Sequence, residues 1–326
     1  MKNISGNQLL STKTLPCIVV FISMVTSVYA QVTIKDTGLE KSQSANFLGK
    51  GIACETYDRR ITLDNNSPNR YTFTYRYNIN PTQNNQPYQG SIIFPYIGDQ
   101  SLGSTGLGLD GGAWLNTGFI DIMAKINSRW VKLTTVVAGT VKASVKGDRG
   151  IVDVQWTPEW GNVNARFVSV EKDNKLYVEI GIDSEKAEQI RIRLFSFPGH
   201  LSVHSKIPHD RWFSTVSRNI QNNAVSGPDS LDAKNEYWVF IFDTQNNKMR
   251  GSCAALFLPE EISEASIDQR NNNLTTVSLT CSIKKVRLLL WQFPEQYLDT
   301  EAAYMHLKEN GGKYLNDLRM FNFEQR

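Results

Sequence analysis

The sequence predicts an all-β protein, an antiparallel β-sandwich with short C-terminal helices, and three observations carry that prediction. First, Tyr71, Phe73, Tyr75, Tyr77 and Ile79 alternate with Thr72, Thr74, Arg76 and Asn78. A period of two places one set against a core and the other toward water. Second, from Trp130 onward short apolar runs recur at intervals of about eight to twelve residues, separated by turn signals, which is the pattern of a sandwich or barrel. Third, helical periodicity is nearly absent until the end of the chain.

The elements follow in order. Lys2 and Lys13 precede an apolar run from Leu15 to Val25, and Val28-Tyr29-Ala30 supplies smaller residues before Gln31. Basic, apolar and small segments in that order mark residues 1–30 as a secretory signal peptide cleaved before Gln31. The run is shorter than the roughly 20 apolar residues of a spanning helix, so no stable membrane insertion is expected after cleavage. An uncleaved anchor is the alternative. Residues 31–298 form the predicted sandwich. Its strands run over Tyr71–Asn80, Ser91–Ile97, Trp130–Val137, Val141–Lys146, Ile151–Thr157, Ala165–Val170, Leu176–Ile182 and Ile190–Phe197. Four more follow at Glu236–Phe242, Cys253–Leu258, Thr275–Ile283 and Val286–Trp291. Tyr237 to Phe242 is apolar at every position, as in a strand buried on both faces. Residues 299–326 read as a helical cap in two pieces. Asp299 or Thr300 starts the first, Gly311-Gly312 stops it, and Lys313–Phe321 makes the second.

Charge excludes some functions. The formal charge is +3, and residues 1–30 hold two lysines and no acids, which leaves +1 for the remainder. Such a chain has no electrostatic footprint for nucleic acid or for an anionic membrane. Beyond Cys17 the cysteines are Cys54, Cys253 and Cys281. In an oxidising compartment an odd set reads as one disulfide and one free thiol, and Cys253 with Cys281, on late strands, is the expected pair. Three buried thiols are the alternative. No CxxC or Cys/His pair has ligand spacing, so neither a metal nor a cofactor is expected. Asn65-Asn66-Ser67 and Asn273-Leu274-Thr275 are acceptor triplets for glycans in a glycosylating host.

Three features offer chemistry. Glycine concentrates between Gly98 and Gly118, but no Lys-Ser/Thr follows and no βαβ unit surrounds it, which excludes a phosphate loop. The segment reads as a surface connection or as a binding loop carrying Asp110 and Trp114. His200, His204 and His209 lie within ten residues of one another, yet Pro198, Gly199 and Pro208 break the helix that would align His200 with His204 for a metal. His200 with Glu159 or Asp210 as carboxylate partner is the acid–base candidate, set against ordinary loop histidines. Trp156 and Trp160 flank a turn that carries Glu159, and flat indoles beside a carboxylate suit stacking on a sugar face. Trp114 and Trp212 are further candidates of that kind. Core packing is the competing role for all of them and the expected one for Trp238, Trp130 and Trp291.

Arg166-Phe167-Val168-Ser169-Val170, Leu176-Tyr177-Val178-Glu179-Ile180 and Ile190-Arg191-Ile192-Arg193-Leu194-Phe195-Ser196-Phe197, ending at His200, resemble the central stretch of galactose-mutarotase-like β-supersandwiches. The resemblance implies a supersandwich in which a strand leads into a histidine-bearing turn inside a sugar cleft. It covers about 35 residues, and the asparagine-histidine-tyrosine pattern of the epimerases is absent there. The chain as a whole also resembles exported bacterial proteins of unknown function. The expectation is therefore a secreted or periplasmic protein that binds a carbohydrate on one sheet face without catalysis. The rivals are an epimerase or lyase using His200 with Glu159 or Asp210, and a structural protein of the cell envelope.

Overall fold

The computed structural model describes residues 32–47, 52–67, 70–79, 120–133, 138–196, 210–221, 227–244, 252–270, 275–281, 284–292 and 300–324. The described chain opens with β1 (Thr33–Asp36), β2 (Glu40–Phe47), β3 (Ile52–Asp64) and β4 (Arg70–Ile79). The middle carries β5 (Ile120–Ile126), β6 (Arg129–Lys132), β7 (Ala138–Lys146), β8 (Arg149–Trp156), β9 (Asn162–Val170), β10 (Lys175–Asp183) and β11 (Ala187–Ser196). Then come β12 (Arg211–Thr215), β13 (Asn219–Gln221), β14 (Asp229–Leu231), β15 (Trp238–Asp243) and β16 (Cys253–Phe257). The last strands are β17 (Glu264–Asp268), β18 (Thr275–Cys281) and β19 (Lys285–Gln292), and helix α1 (Thr300–Met320) follows.

Among the described residues all strand pairs are antiparallel and form three sheets. One has nine strands in the order β13-β12-β15-β16-β19-β10-β9-β8-β7, and one has six in the order β14-β17-β18-β11-β5-β6. In the third, β3 pairs with β1 and β2 along one edge and with β4 along the other. The protein is thus an all-β antiparallel sandwich, and the alternation at Tyr71–Ile79 is a strand with Tyr71 and Phe73 buried.

Alternation along the strands sorts the nine-stranded sheet into two faces. Val152, Val154, Phe167, Val178, Ile180, Leu288 and Leu290 point inward. There they meet Ile192 and Leu194 of β11, Val277 and Leu279 of β18, and Leu63 and Phe73 of the third sheet. Phe73 and Phe167 hold ring centroids 5.0 Å apart. The opposite face buries Ile151, Val168, Tyr177, Trp238, Phe240, Leu256 and Leu289 under Ala303, Leu307 and Leu318 of α1 and Phe323. β15 is buried at every position because both faces are covered.

Three expectations need correction. α1 is one continuous helix, not two. Gly311 lies mid-helix against Trp238, where an added Cβ would sit 2.9 Å from the indole Nε1. The glycine serves a close approach, and tertiary packing overrides a propensity cost of about 1 kcal/mol. Cys253 and Cys281 are free, buried thiols, and burial pushes both thiols up in pKa. Cys253 opens β16 in the nine-stranded sheet, Cys281 closes β18 in the six-stranded one, and the two are not bonded. Asn65 is not a glycan acceptor in the fold, since its buried amide donates to the Val170 and Asp173 carbonyls at 2.6 Å each. The predicted strand Ser91–Ile97, residues 1–31 and Asn273 lie outside the described residues. Within the described residues, no helix is long and apolar enough to cross a membrane.

Candidate functional site

The face of the nine-stranded sheet that α1 covers is closed over only part of its extent. Strand register arranges its side chains in rows that run across β7, β8, β9, β10 and β19. The covered row is Ser144, Ile151, Val168, Tyr177 and Leu289. Two residues along each strand, the next row is Lys142, Asp153, Arg166, Glu179 and Arg287, with charge alternating at every step. The row after that is Thr140, Gln155, Asn164, Gly181 and Lys285. Neighbours within a row stand about 5 Å apart.

These two polar rows, apart from Arg287, floor an open groove of about 430 Å³, rimmed by Glu324 just beyond α1. Arg166 is its fixed point. Its Nε donates to Asp153 Oδ1 at 2.7 Å and its Nη2 to Asp153 Oδ2 at 3.3 Å. Its Nη1 donates to the Phe323 carbonyl at 2.9 Å and lies 3.4 Å from Glu324. The hydrogen bonds it donates to Asp153 hold the Arg166 guanidinium above its ordinary pKa. Lys285 reaches Glu179 at 3.3 Å, and Thr140 Oγ1 donates to Gln155 Oε1 at 3.4 Å. Gly181 leaves a notch between Asn164 and Lys285, since a Cβ there would meet nothing nearer than a carbonyl at 4.0 Å.

The wall toward the covered row is the chain end itself. Phe321 stacks on Tyr177 with centroids 3.8 Å apart and lies 4.5 Å under the Arg149 guanidinium. Arg149 Nη1 also donates to the Asn322 carbonyl at 2.5 Å. Burial, with Asp173 beside it, pushes the Tyr177 hydroxyl well above the usual phenol range.

The residues singled out from sequence fall elsewhere. Trp156 is 2% exposed and belongs to the core between the sheets. Trp160 is half-buried against that same core, and its carbonyl accepts a hydrogen bond from Ser184. Trp212 stacks on Phe242 at 6.3 Å. Trp156 therefore serves packing, which corrects the expectation that it stacks on a sugar, while Trp160 and Trp212 are half-buried and also touch core residues. Trp130 is corrected in the other sense: it is half-buried under the Arg191 guanidinium at 4.1 Å and not in the core.

Glu159 is exposed on the turn that ends β8. Gly161 closes that turn at φ 153° so tightly that a Cβ would lie 2.5 Å from the Asp183 carbonyl. Asp210 precedes β12, whose first residue pairs with the last of β15. Following the register from β12 to β8 puts Asp210 and Glu159 at opposite rims of the nine-stranded sheet, on strands six steps apart. β11 starts at the rim of Glu159 and ends with Ser196 at the rim where β12 begins. His200, Asp110 and Trp114 themselves lie outside the described residues. Among the described residues no three His, Cys, Asp or Glu side chains converge as a metal would require.

Sequence reasoning missed Asp153, Gln155, Asn164, Arg166, Glu179 and Lys285. Only register between strands brings them into rows.

Fold and groove together define an all-β antiparallel sandwich with a polar groove on one open sheet face. The sequence matches no protein-family model and no curated protein. Among solved structures it is similar to a candidate aldose 1-epimerase from Klebsiella pneumoniae, with 8% identity, TM-score 0.40, and 88% of this chain and 97% of that one covered. It is similar to a GH36 α-galactosidase from Geobacillus stearothermophilus at 9% identity and TM-score 0.42, over 72% of this chain and 40% of that one. A TPR-domain-containing protein from Parabacteroides distasonis gives 8% identity and TM-score 0.40, over 81% of this chain, which spans 55% of that protein.

Proposed function

We propose that the protein binds a carbohydrate in the groove over β7–β10 and β19, and that it does so as an exported, non-catalytic binder. The observation that carries the reading is the pair of rows. Asp153 and Glu179 offer paired acceptors, Arg166 paired donors, and Gln155 and Asn164 one of each, set on rigid strands at about 5 Å intervals. Vicinal sugar hydroxyls, each both donor and acceptor, fit such groups, and the volume of about 430 Å³ admits one or two sugar rings. Binding without turnover fits the way each groove carboxylate faces a cation: Asp153 and Glu324 meet Arg166, and Glu179 meets Lys285. Export rests on the leader in residues 1–30, and N-terminal sequencing of protein recovered outside the cytoplasm should begin Gln31-Val32-Thr33.

A glycan array probed with residues 31–326, followed by calorimetry on the best ligand, tests the binding. Asn164→Ala should weaken that ligand by about 1 kcal/mol and Gln155→Ala by a similar amount, the usual worth of a hydrogen bond to a neutral group. Trp160→Ala should leave affinity unchanged. Binding indifferent to Asn164→Ala and Gln155→Ala together would remove the groove from consideration, and hydrolysis or epimerisation of the bound sugar would remove the non-catalytic reading.

A further inference from the structure

The outer face of the six-stranded sheet carries a second groove of about 560 Å³, unrelated to the first, lined by Arg191, Ser230, Ser263, Glu264, Ser266, Ser278 and Thr280 among others. Register again organises it. Ser230 pairs with Ser266 and Ser266 with Ser278, so three serines step across β14, β17 and β18 in one row. In the adjacent row Thr280 stands between Glu264 and Arg191. We propose that this groove binds a tetrahedral oxyanion, as a sulfate or phosphate group, with Arg191 as its anchor.

Arg191 is held ready for that role. Its guanidinium lies 4.1 Å over the Trp130 ring, and its Nε donates to Thr280 Oγ1 at 3.0 Å. The plane and one edge of the group are thus fixed, while the terminal nitrogens stay available for a bidentate contact. The carboxylate nearest to them is a weak competitor. Glu264 Oε2 lies 4.0 Å from Nη2 on a side chain that is 73% exposed, so solvent and salt screen the pair. The neighbouring Arg193 differs, since it donates to the buried Asp121 carboxylate through both Nε and Nη2. Arg191 is therefore the cation of this face with its fork open, and the serine row offers hydroxyl donors on the other side. Donors converging from two sides suit an ion with three or four oxygens better than a planar carboxylate.

Calorimetric titration of residues 31–326 with inorganic sulfate, inorganic phosphate, a sulfated monosaccharide, a phosphorylated monosaccharide and the unmodified sugar tests the proposal. At least one anion should bind with an affinity that falls as sodium chloride is raised. The two saccharide arms tell a sulfate site from a phosphate site, and the unmodified sugar should not bind here. Arg191→Lys, which keeps the charge and loses the fork, should weaken the anion about tenfold. Ser266→Ala with Ser278→Ala should weaken it by a similar factor, and Glu264→Gln should tighten it about twofold to fivefold. Asn164→Ala in the other groove should leave anion binding untouched, which separates this site from the carbohydrate reading. Thermal melts confirm that each variant is folded. Absence of binding at millimolar anion, or binding equal in wild type and Arg191→Lys, overturns the proposal.

Discussion

Two arginine–carboxylate pairs in this protein have nearly the same contacts and opposite surroundings. Arg166 grips Asp153 in the open groove, where the side chains are 28% and 40% exposed. Arg218 grips Glu236 with Nε at 2.6 Å and Nη2 at 2.7 Å, but the Glu236 side chain is only 4% exposed. Glu236 also accepts from the Thr215 hydroxyl at 2.5 Å, the Ser217 hydroxyl at 3.0 Å and the Asp232 N–H at 2.8 Å. Arg218 continues to Asp229 and the Ser230 carbonyl, tying the β12–β13 hairpin of one sheet to β14 of the other. A buried carboxylate with five donors is a strut whose every lone pair is engaged. The exposed pair keeps faces turned to water, so a ligand can replace the water at little cost. Environment, not the identity of the pair, separates structure from site.

The sharpest way to break the contrast is to remove each arginine. Arg218→Ala leaves Glu236 buried without its counter-charge and should destabilise the fold by about 3 kcal/mol, read as a shift of the urea midpoint. Acid tests the same strut next. Burial pushes the Glu236 carboxyl up, but Arg218, Thr215 and Asp232 outweigh it and hold it down to about 2 against an ordinary 4.5. A depressed carboxyl contributes stability that is complete above about pH 4.5 and is lost as pH falls toward about 2. The loss from this group should be at most about 3 kcal/mol, and in Arg218→Ala the loss over that window should shrink. Asn164→Ala in the groove should weaken the sugar by about 1 kcal/mol while leaving the melting temperature alone. The smallest expected effect is that of Arg166→Ala on stability, below about 1 kcal/mol because its partners are solvated, although sugar binding should suffer. A large loss of stability in Arg166→Ala would erase the distinction between the two pairs.

Legibility differed by region for physical reasons. β4, β8 to β11, β15, β16, β18 and β19 were readable because a buried face forces alternation or an unbroken apolar run. The strands β12, β13, β14 and β17 were not: they are short, and three to five residues hold too few positions to show a period. β5 shows none because its first five residues are all buried. The tryptophans misled for a related reason. An indole before a turn signals apolar area, and Trp156 shows that the area is used between sheets. β8 and β11 end at opposite rims, and His200, offered with Glu159 or Asp210 as its partner, lies outside the described residues.

By itself the sequence determined the all-β class, the positions of the main strands and which of their residues face outward, since alternation is a local property of the backbone and the hydrophobic effect acts on it directly. Only tertiary structure decided that α1 runs through Gly311-Gly312, because the contact with Trp238 outweighs helix propensity. It also left Cys253 and Cys281 as unbonded, buried thiols on different sheets. The polar groove belongs to the same category. Asp153, Arg166 and Glu179 are scattered over 27 positions of sequence, and they form one row because register, set by all the paired strands together, is not written in any one of them.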